Sequence, residues 1–411
     1  MRSPLHALLL ANAISITGTA MTLLAVPWFV LVTTGSPART GIVAACETVP
    51  LVLASALGGP LVDRVGPRLA AVGSDLLSAA ALVVVPLLHL TTGLAFWQLC
   101  VVVAVVGLVR APGETARTVL LPQVVGDVPI ERATSMYDGV SRGARMLGAP
   151  LAGVLIAVIG PAEVLLVDVA TFVVSGLLLR AALPVVARQP EEHGETYLRR
   201  LLGGLAALRA DRLLAGMVAM VMVTNLLDAA ASAVLTPVYA REVLDSSVGL
   251  GLLYAAFGVG ALGGTVLYGV YGPRFPRWPV FTAAFLLVGA PRFFSLAAHP
   301  PLALLLALQV VFGLACGCLN PVLAAVEYER IPAALQSRVF GVMTAGVLVG
   351  LPLGALLAGF AVDALGLDGA LLLCGTLYLL ATLSPVVWAR TWRQMDTGRY
   401  PAVTPPGMMR A

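Results

Sequence analysis

Long apolar runs, each closed by a short polar or Gly/Pro-rich break, recur along the whole chain. A helix rises 1.5 Å per residue, so roughly 20 apolar residues cross the hydrocarbon of a bilayer. Runs of that length predict twelve spanning helices. They fall at 5–32, 41–62, 69–91, 95–119, 134–159, 162–184, 213–237, 247–270, 279–298, 302–326, 339–360 and 370–390. The first run reaches Val32, which is too long for a signal-peptide core, and is read as a retained span. One long polar interruption, 188–212, divides the spans six and six. Its second part, 197–208, has leucines at helical spacing beside Arg199, Arg200 and Arg209, the pattern of a helix lying on a membrane surface. The expected organisation is an all-α membrane protein: a six-helix bundle over 1–187, the linker 188–212, a second bundle over 213–390, and a tail over 391–411.

Composition excludes several classes. The chain is 59% hydrophobic and 11% charged, whereas soluble domains carry about 25% charged residues. All 25 basic residues are arginine, and they are scattered among apolar segments, so no nucleic-acid partner is expected. Cys46, Cys100, Cys316, Cys318 and Cys374 lie in apolar runs and read as small buried hydrophobes. The four histidines are not spaced as metal ligands, and there is no phosphate-binding Gly-Lys-Ser/Thr loop. No metal or cofactor is therefore expected, and energy should come from an ion gradient. An intramembrane enzyme would need paired acids or histidines at a wet face; a receptor or lipid-moving scaffold stays open at this point.

Arginine placement orients the spans. With the N-terminus inside, the inner face receives Arg2, Arg64, Arg68, Arg132, Arg188, Arg199, Arg200, Arg209, Arg212, Arg274, Arg277, Arg330, Arg338 and the tail arginines, and the outer loops receive only Arg39 and Arg241. That asymmetry predicts cytoplasmic termini and a cytoplasmic linker. The halves also echo each other. Gly58, Gly66, Pro67 and Arg68 recur about half the chain later as Gly264, Gly272, Pro273 and Arg274; Gly148 and Pro150 recur as Gly350 and Pro352. Parallel six-span repeats build secondary transporters with a site between the halves. The echo argues against the enzyme class.

The stretch Gly59-x-x-x-Asp63-Arg64-x-Gly66-x-Arg68 resembles the signature loop between the second and third helices of the major facilitator superfamily. Leu121-Pro122-Gln123, Gly148-Ala149-Pro150 with Gly153, Val167-Asp168 with Phe172, and Pro237-Val238-Tyr239 are similar to its bacterial branch of enterobactin and macrolide exporters. The resemblance implies proton-coupled efflux of a small molecule (a drug, antibiotic or siderophore) by a monomer in the bacterial inner membrane. Two features depart from the pattern. Arg145 and Ala149 replace glycines of the drug-antiporter fifth helix, and Gly269 and Val270 stand where the second copy of the loop would carry its charges.

The resemblance implies that Asp63 contacts the start of the eleventh helix and, with Arg64 and Arg68, latches the halves. Asp75, Asp138 and Arg142 lie near enough in sequence depth to join that charge cluster. Charges deeper in the spans cost about 2.5–3.5 kcal/mol on insertion scales, so each needs a cavity or a partner. Arg110 and Glu114 are four apart and can pair on one face. Buried carboxyls can exchange protons near neutral pH, which makes Glu47, Glu114 and Asp228 the proton-coupling candidates. Arg110, Asn225 and Asn320 are the expected cavity residues. Asp168, in the sixth helix, is expected to be structural, and Arg292 has no evident role. Small residues four apart around Gly148, Pro150 and Gly153, and around Gly350 and Pro352, are expected to pack between the halves, where one half pivots on the other.

Overall fold

The computed structural model describes residues 4–183, 205–206 and 208–396. Most of the expected surface helix 197–208, and the tail beyond 396, lie outside the described residues. Eleven helices are long and apolar enough to cross a membrane. The longest, Ala333–Thr382, is divided at Gly366, whose φ of 73° and ψ of 170° are non-helical. At 1.5 Å per residue an unbroken helix of that length would far exceed the bilayer. The turn at Gly366 makes two crossings of it instead, twelve in all.

We number the crossings in chain order. They are α1 (Pro4–Thr34), α2 (Pro37–Val65), α3 (Pro67–Thr91), α4 (Phe96–Val124), α5 (Ile130–Ile159) and α6 (Pro161–Ala182). The second set is α7 (Arg212–Glu242), α8 (Ser247–Tyr271), α9 (Arg277–Ala297), α10 (Leu302–Arg330), α11 (333–365) and α12 (367–382). The expected charged loop after α2 shrinks to one residue. Gly66, at φ 93°, both ends α2 and precedes α3, and Pro67 starts the new helix with its φ already set. Asp63 and Arg64 therefore sit on the last turn of α2.

Three helices are broken in ways that shape the interior. In α7 a π-helical stretch, Ala231–Leu235, follows Asp228. Such a stretch shifts the backbone hydrogen-bond register, and the Ser232 carbonyl accepts the Tyr254 hydroxyl at 2.6 Å. In α9 Gly289 leaves helical geometry (φ −79°, ψ −104°), so Arg292 rides on a separate segment. In α10 Pro321 has no N–H for the carbonyl four residues back; that carbonyl, of Gly317, accepts the Thr265 hydroxyl of α8 at 3.1 Å.

The crossings pack as two bundles, α1–α6 and α7–α12, and the glycine contacts between them among the described residues run from one end to Met146 and Gly258 near the middle. We call the ends by Gly35 and Gly66. At the Gly35 end, Gly153 of α5 lies against the backbone of Ser247 and Gly251 of α8, and Ser247 Oγ donates to the Gly153 carbonyl at 3.0 Å. Gly41 of α2 lies against Ala355 and Gly359 of α11. Leu31 joins the core of the second bundle, and Ala240 and Leu250 join that of the first. At the Gly66 end each apolar cluster belongs to one bundle: Leu5, Val62, Leu120 and Leu179 in the first, Leu214, Ile331 and Val339 in the second. Among the described residues the halves meet at the Gly35 end, and the apolar clusters at the Gly66 end do not cross between them.

The small-residue stripes are used differently from the expectation. Gly148 packs on Thr17 and Ala20 of α1, inside its own half. Gly346, Gly350 and Gly354 face Met222, Leu226 and Ala229 of α7, also within one half. In α5 it is Gly153, Ala149 and Pro150 that meet the opposite bundle, and in α11 it is Ala355 and Gly359. A spacing of four defines a helix face but does not say which neighbour takes it.

Candidate functional site

The α7–α12 bundle contains a cavity of about 420 Å³. Its walls are aromatic and aliphatic (Tyr254, Phe257, Phe285, Leu253, Leu319, Leu351), with Asn225, Gln309, Asn320 and Ser232 among the polar lining groups. One ion pair stands in it. Asp228 Oδ1 accepts a hydrogen bond from Arg292 Nη2, and the Tyr378 hydroxyl reaches Asp228 Oδ2 at 3.5 Å. The guanidinium lies 5.5 Å from the Phe257 ring centre and 5.3 Å from that of Phe293, close enough for cation–π attraction. The carboxylate side chain is 43% exposed and that of the arginine 14%. The cavity thus meets the acid first, with the cation seated behind it among rings.

Asp228, Asn225 and Asn320, singled out in the sequence, line this cavity, whereas Arg110 does not, and Arg292 had been given no role. The structure corrects that: Arg292 is the partner of Asp228. The break at Gly289 turns its segment inward. The available clue was energetic, since a charge in a span must find an opposite charge. Asn225 donates its amide to the Val221 carbonyl of its own helix at 2.8 Å, and Asn320 is exposed to the cavity.

The first bundle holds two further charged groups. Arg110 of α4 pairs with Glu47 of α2 at 3.2 Å and with Glu114 at 3.1 Å. The helices approach closely there because Gly107 offers no side chain against the Glu47 carbonyl. Glu47 is buried, whereas the Glu114 side chain is 56% exposed. The expected Arg110–Glu114 pair is present, and Glu47 joins it. Deeper, Arg117 Nη2 contacts Asp75 Oδ1 at 2.5 Å and Ser15 Oγ at 3.1 Å, and Ser175 Oγ donates to Asp75 Oδ2 at 2.7 Å. Asp75 was expected in the surface latch. It is instead sealed between α1, α4 and α6, where only a guanidinium and hydroxyls reach it.

The latch residues are apart in this conformation. Asp63, Arg64, Asp138 and Arg142 are exposed, and none forms an ion pair among the described residues. Arg68 donates to the Arg180 carbonyl at the end of α6. Among the described residues no group of His, Cys, Asp or Glu could hold a metal ion.

The described residues form twelve crossings in two bundles, with a cavity inside the second, and comparison with known proteins decides the family. The family model described as Major Facilitator Superfamily matches residues 8–269 and 223–403. The chain belongs to the Major Facilitator Superfamily. Within it, the multidrug efflux pump Tap of Mycolicibacterium fortuitum is 30% identical over 97% of this chain and 99% of that protein. Macrolide efflux protein A of Streptococcus pyogenes is 21% identical over 92% of this chain and 94% of that protein. Among solved superfamily structures, the nucleoside transporter NupG superposes with a TM-score of 0.71 at 15% identity, over 96% of this chain and 99% of that one. The D-xylose–proton symporter gives 0.69, also at 15%, over 96% and 99%. At such identities the structures bear on the fold alone.

Proposed function

We propose that the protein is a proton-driven exporter of small amphiphilic molecules, working by alternating access as a monomer in the bacterial inner membrane. The observation that carries this reading is the aromatic-walled cavity with its Asp228–Arg292 pair, in a molecule whose halves meet at the Gly35 end. The Gly66 end bears Arg64, Arg68, Arg132, Arg180, Arg212, Arg274, Arg277 and Arg330, against Arg39 and Arg241 at the other. Positive residues favour the cytoplasm, so the Gly66 end is cytoplasmic, as are both termini. Cargo enters from inside. Similarity to the multidrug pump Tap and to the macrolide exporter supports the outward direction and a drug- or antibiotic-like cargo.

The cavity accounts for binding by a simple division of labour. Its rings and leucines cover an apolar body, while Asn225, Gln309 and Asn320 supply hydrogen bonds that set orientation. A proton arriving at Asp228 would cancel its attraction for Arg292 and change what the cavity can hold. Glu47 and Glu114, which share Arg110, are the parallel candidates in the first bundle. Chemistry on the cargo plays no part, and the gradient replaces any cofactor.

Purified protein in vesicles with its cytoplasmic face outward tests this. An acid lumen should drive accumulation of a macrolide or a fluorescent amphiphile, with protons leaving the lumen as cargo enters. No gradient-driven movement across a wide compound panel, alongside activity on lipid, would overturn the reading. If Asp228→Asn and Glu47→Gln both leave gradient-driven uptake unchanged, those acids are not the carriers.

A further inference from the structure

Three acids are buried among the described residues: Glu47, Asp75 and Asp168. The first two each face an arginine, Arg110 and Arg117. Asp168, in α6, is fully buried and has no ion pair. Its carboxyl touches hydroxyls instead. Oδ2 shares a hydrogen bond with Thr22 Oγ1 of α1, and Thr171 Oγ1 lies 2.8 Å from Oδ1. Gly18, also on α1, lies so close that a side chain there would collide with Asp168 Oδ1 and Thr171 Oγ1.

The charges around it are already committed. Arg110 of α4 and Asp75 of α3 are the charged groups within electrostatic reach; Arg110 holds Glu47 and Glu114, and Asp75 holds Arg117. On α1 the facing groups are Thr22 and Gly18, neither ionisable. An unpaired carboxylate removed from water carries a desolvation penalty of several kcal/mol, and two hydroxyl donors cannot offset that. A neutral acid in the same place carries no such penalty and still shares a hydrogen bond with each hydroxyl, Thr171 Oγ1 also reaching the Asp168 backbone carbonyl.

We propose that Asp168 is a proton-binding site outside the transport cavity, holding a neutral carboxylic acid that fastens α1 to α6. The proton resides on Oδ2 and is donated to Thr22 Oγ1, while Thr171 Oγ1 donates to Oδ1. The two helices are thereby joined by hydrogen bonds without placing a charge in the bundle, and α1 moves with its own half. This assignment stands whether or not the protein is driven by protons.

Infrared spectroscopy of the purified protein in lipid tests it, because only a protonated carboxyl shows a carboxylic C=O stretch. With aspartate carboxyls isotopically labelled, the wild type should show such a band at neutral pH. It should vanish in Asp168→Asn and remain in Asp228→Asn. Thr22→Val removes the acceptor and should shift the band without abolishing it. This second variant keeps the test alive if Asp168→Asn fails to fold. Loss of the band in Asp228→Asn but not in Asp168→Asn, absence of any aspartic acid band, or an unmoved band in Thr22→Val would each overturn the proposal.

Discussion

Arg117 and Asp75 show how a buried pair behaves as a single object. Each side chain is at most 6% exposed, so removing one partner strands the other in a dry bundle, which costs roughly 3–5 kcal/mol. Replacing both by apolar residues of similar volume is often neutral. We expect Arg117→Met to lower the thermal unfolding midpoint strongly, Asp75→Leu to do likewise, and the double variant to recover most of the loss. Additive losses in a double-mutant cycle would show that the pair is not one unit. Asp228 and Arg292 form a wetter pair with a different expectation. Arg292→Gln should abolish gradient-driven transport with a milder effect on stability, since water and the cavity's polar groups can solvate Asp228.

These residues also show what the sequence discloses. Arg110 and Glu114 were legible as partners because four residues is one helical turn, a relation internal to α4. Arg292 with Asp228, and Arg117 with Asp75, were not legible. Each pair joins helices whose relative rotation depends on packing, and in α9 on the break at Gly289. Charge cost says that a partner exists but not which one. Depth along the chain misplaced Asp75 for the same reason: it measures height in the membrane and is silent about azimuth.

At the scale of elements, helix count followed from run length, whereas the expected loop over 63–68 proved to be the single residue Gly66. The break between 360 and 370 was expected as well, from Asp363, Asp368 and their glycines; its tightness, a single non-helical residue at Gly366, was not. The positive φ of Gly366 makes it specific. A residue with a side chain there would hold a backbone that essentially only glycine adopts, at a cost on the order of 1–3 kcal/mol. Gly366→Val should therefore lower the yield of folded protein relative to Gly269→Val, at a helical glycine with open space beside it, in a membrane-expression assay. Gly350 illustrates the packing correction. It sits against Leu226, so Gly350→Leu should act as a stability lesion in the second bundle, read as a lower unfolding midpoint. Gly251→Val behaves differently because Gly251 meets Ala149 and Pro150 across the seam. Overpacking costs about 1–3 kcal/mol, which at 1.4 kcal/mol per factor of ten shifts the balance of conformations by roughly five- to hundredfold. Distances between spin labels at the Gly35 end should lengthen in that variant; unchanged distances would show that the seam does not set the state.

At the scale of the whole molecule, two bundles are held in contact by the Gly41, Gly153 and Gly251 regions while the latch around Asp63 stands open. We propose that Asp63 latches the halves in the opposite state, when the Gly66 ends meet. Asp63→Asn should then leave the stability of the present form unchanged, because Asp63 is exposed in it, yet favour that form over the one closed at the Gly66 end. The expected kinetic signature is a lower kcat with little change in KM for cytoplasmic cargo. An outward-open population equal to wild type in spin-label distances would contradict it.

Halves joined near one leaflet and parted near the other occupy unequal areas in the two leaflets. Transport reverses that inequality, so each cycle moves lipid laterally and does work against the pressure within each monolayer. A medium that distinguishes two shapes shifts the balance between them. Lipids with small headgroups and those with a single chain pack the inner leaflet differently, and their ratio should tune turnover even where no lipid binds a defined site. The bilayer is then a participant in the cycle through its mechanics, and its composition becomes a control on export rate that acts at no residue in particular.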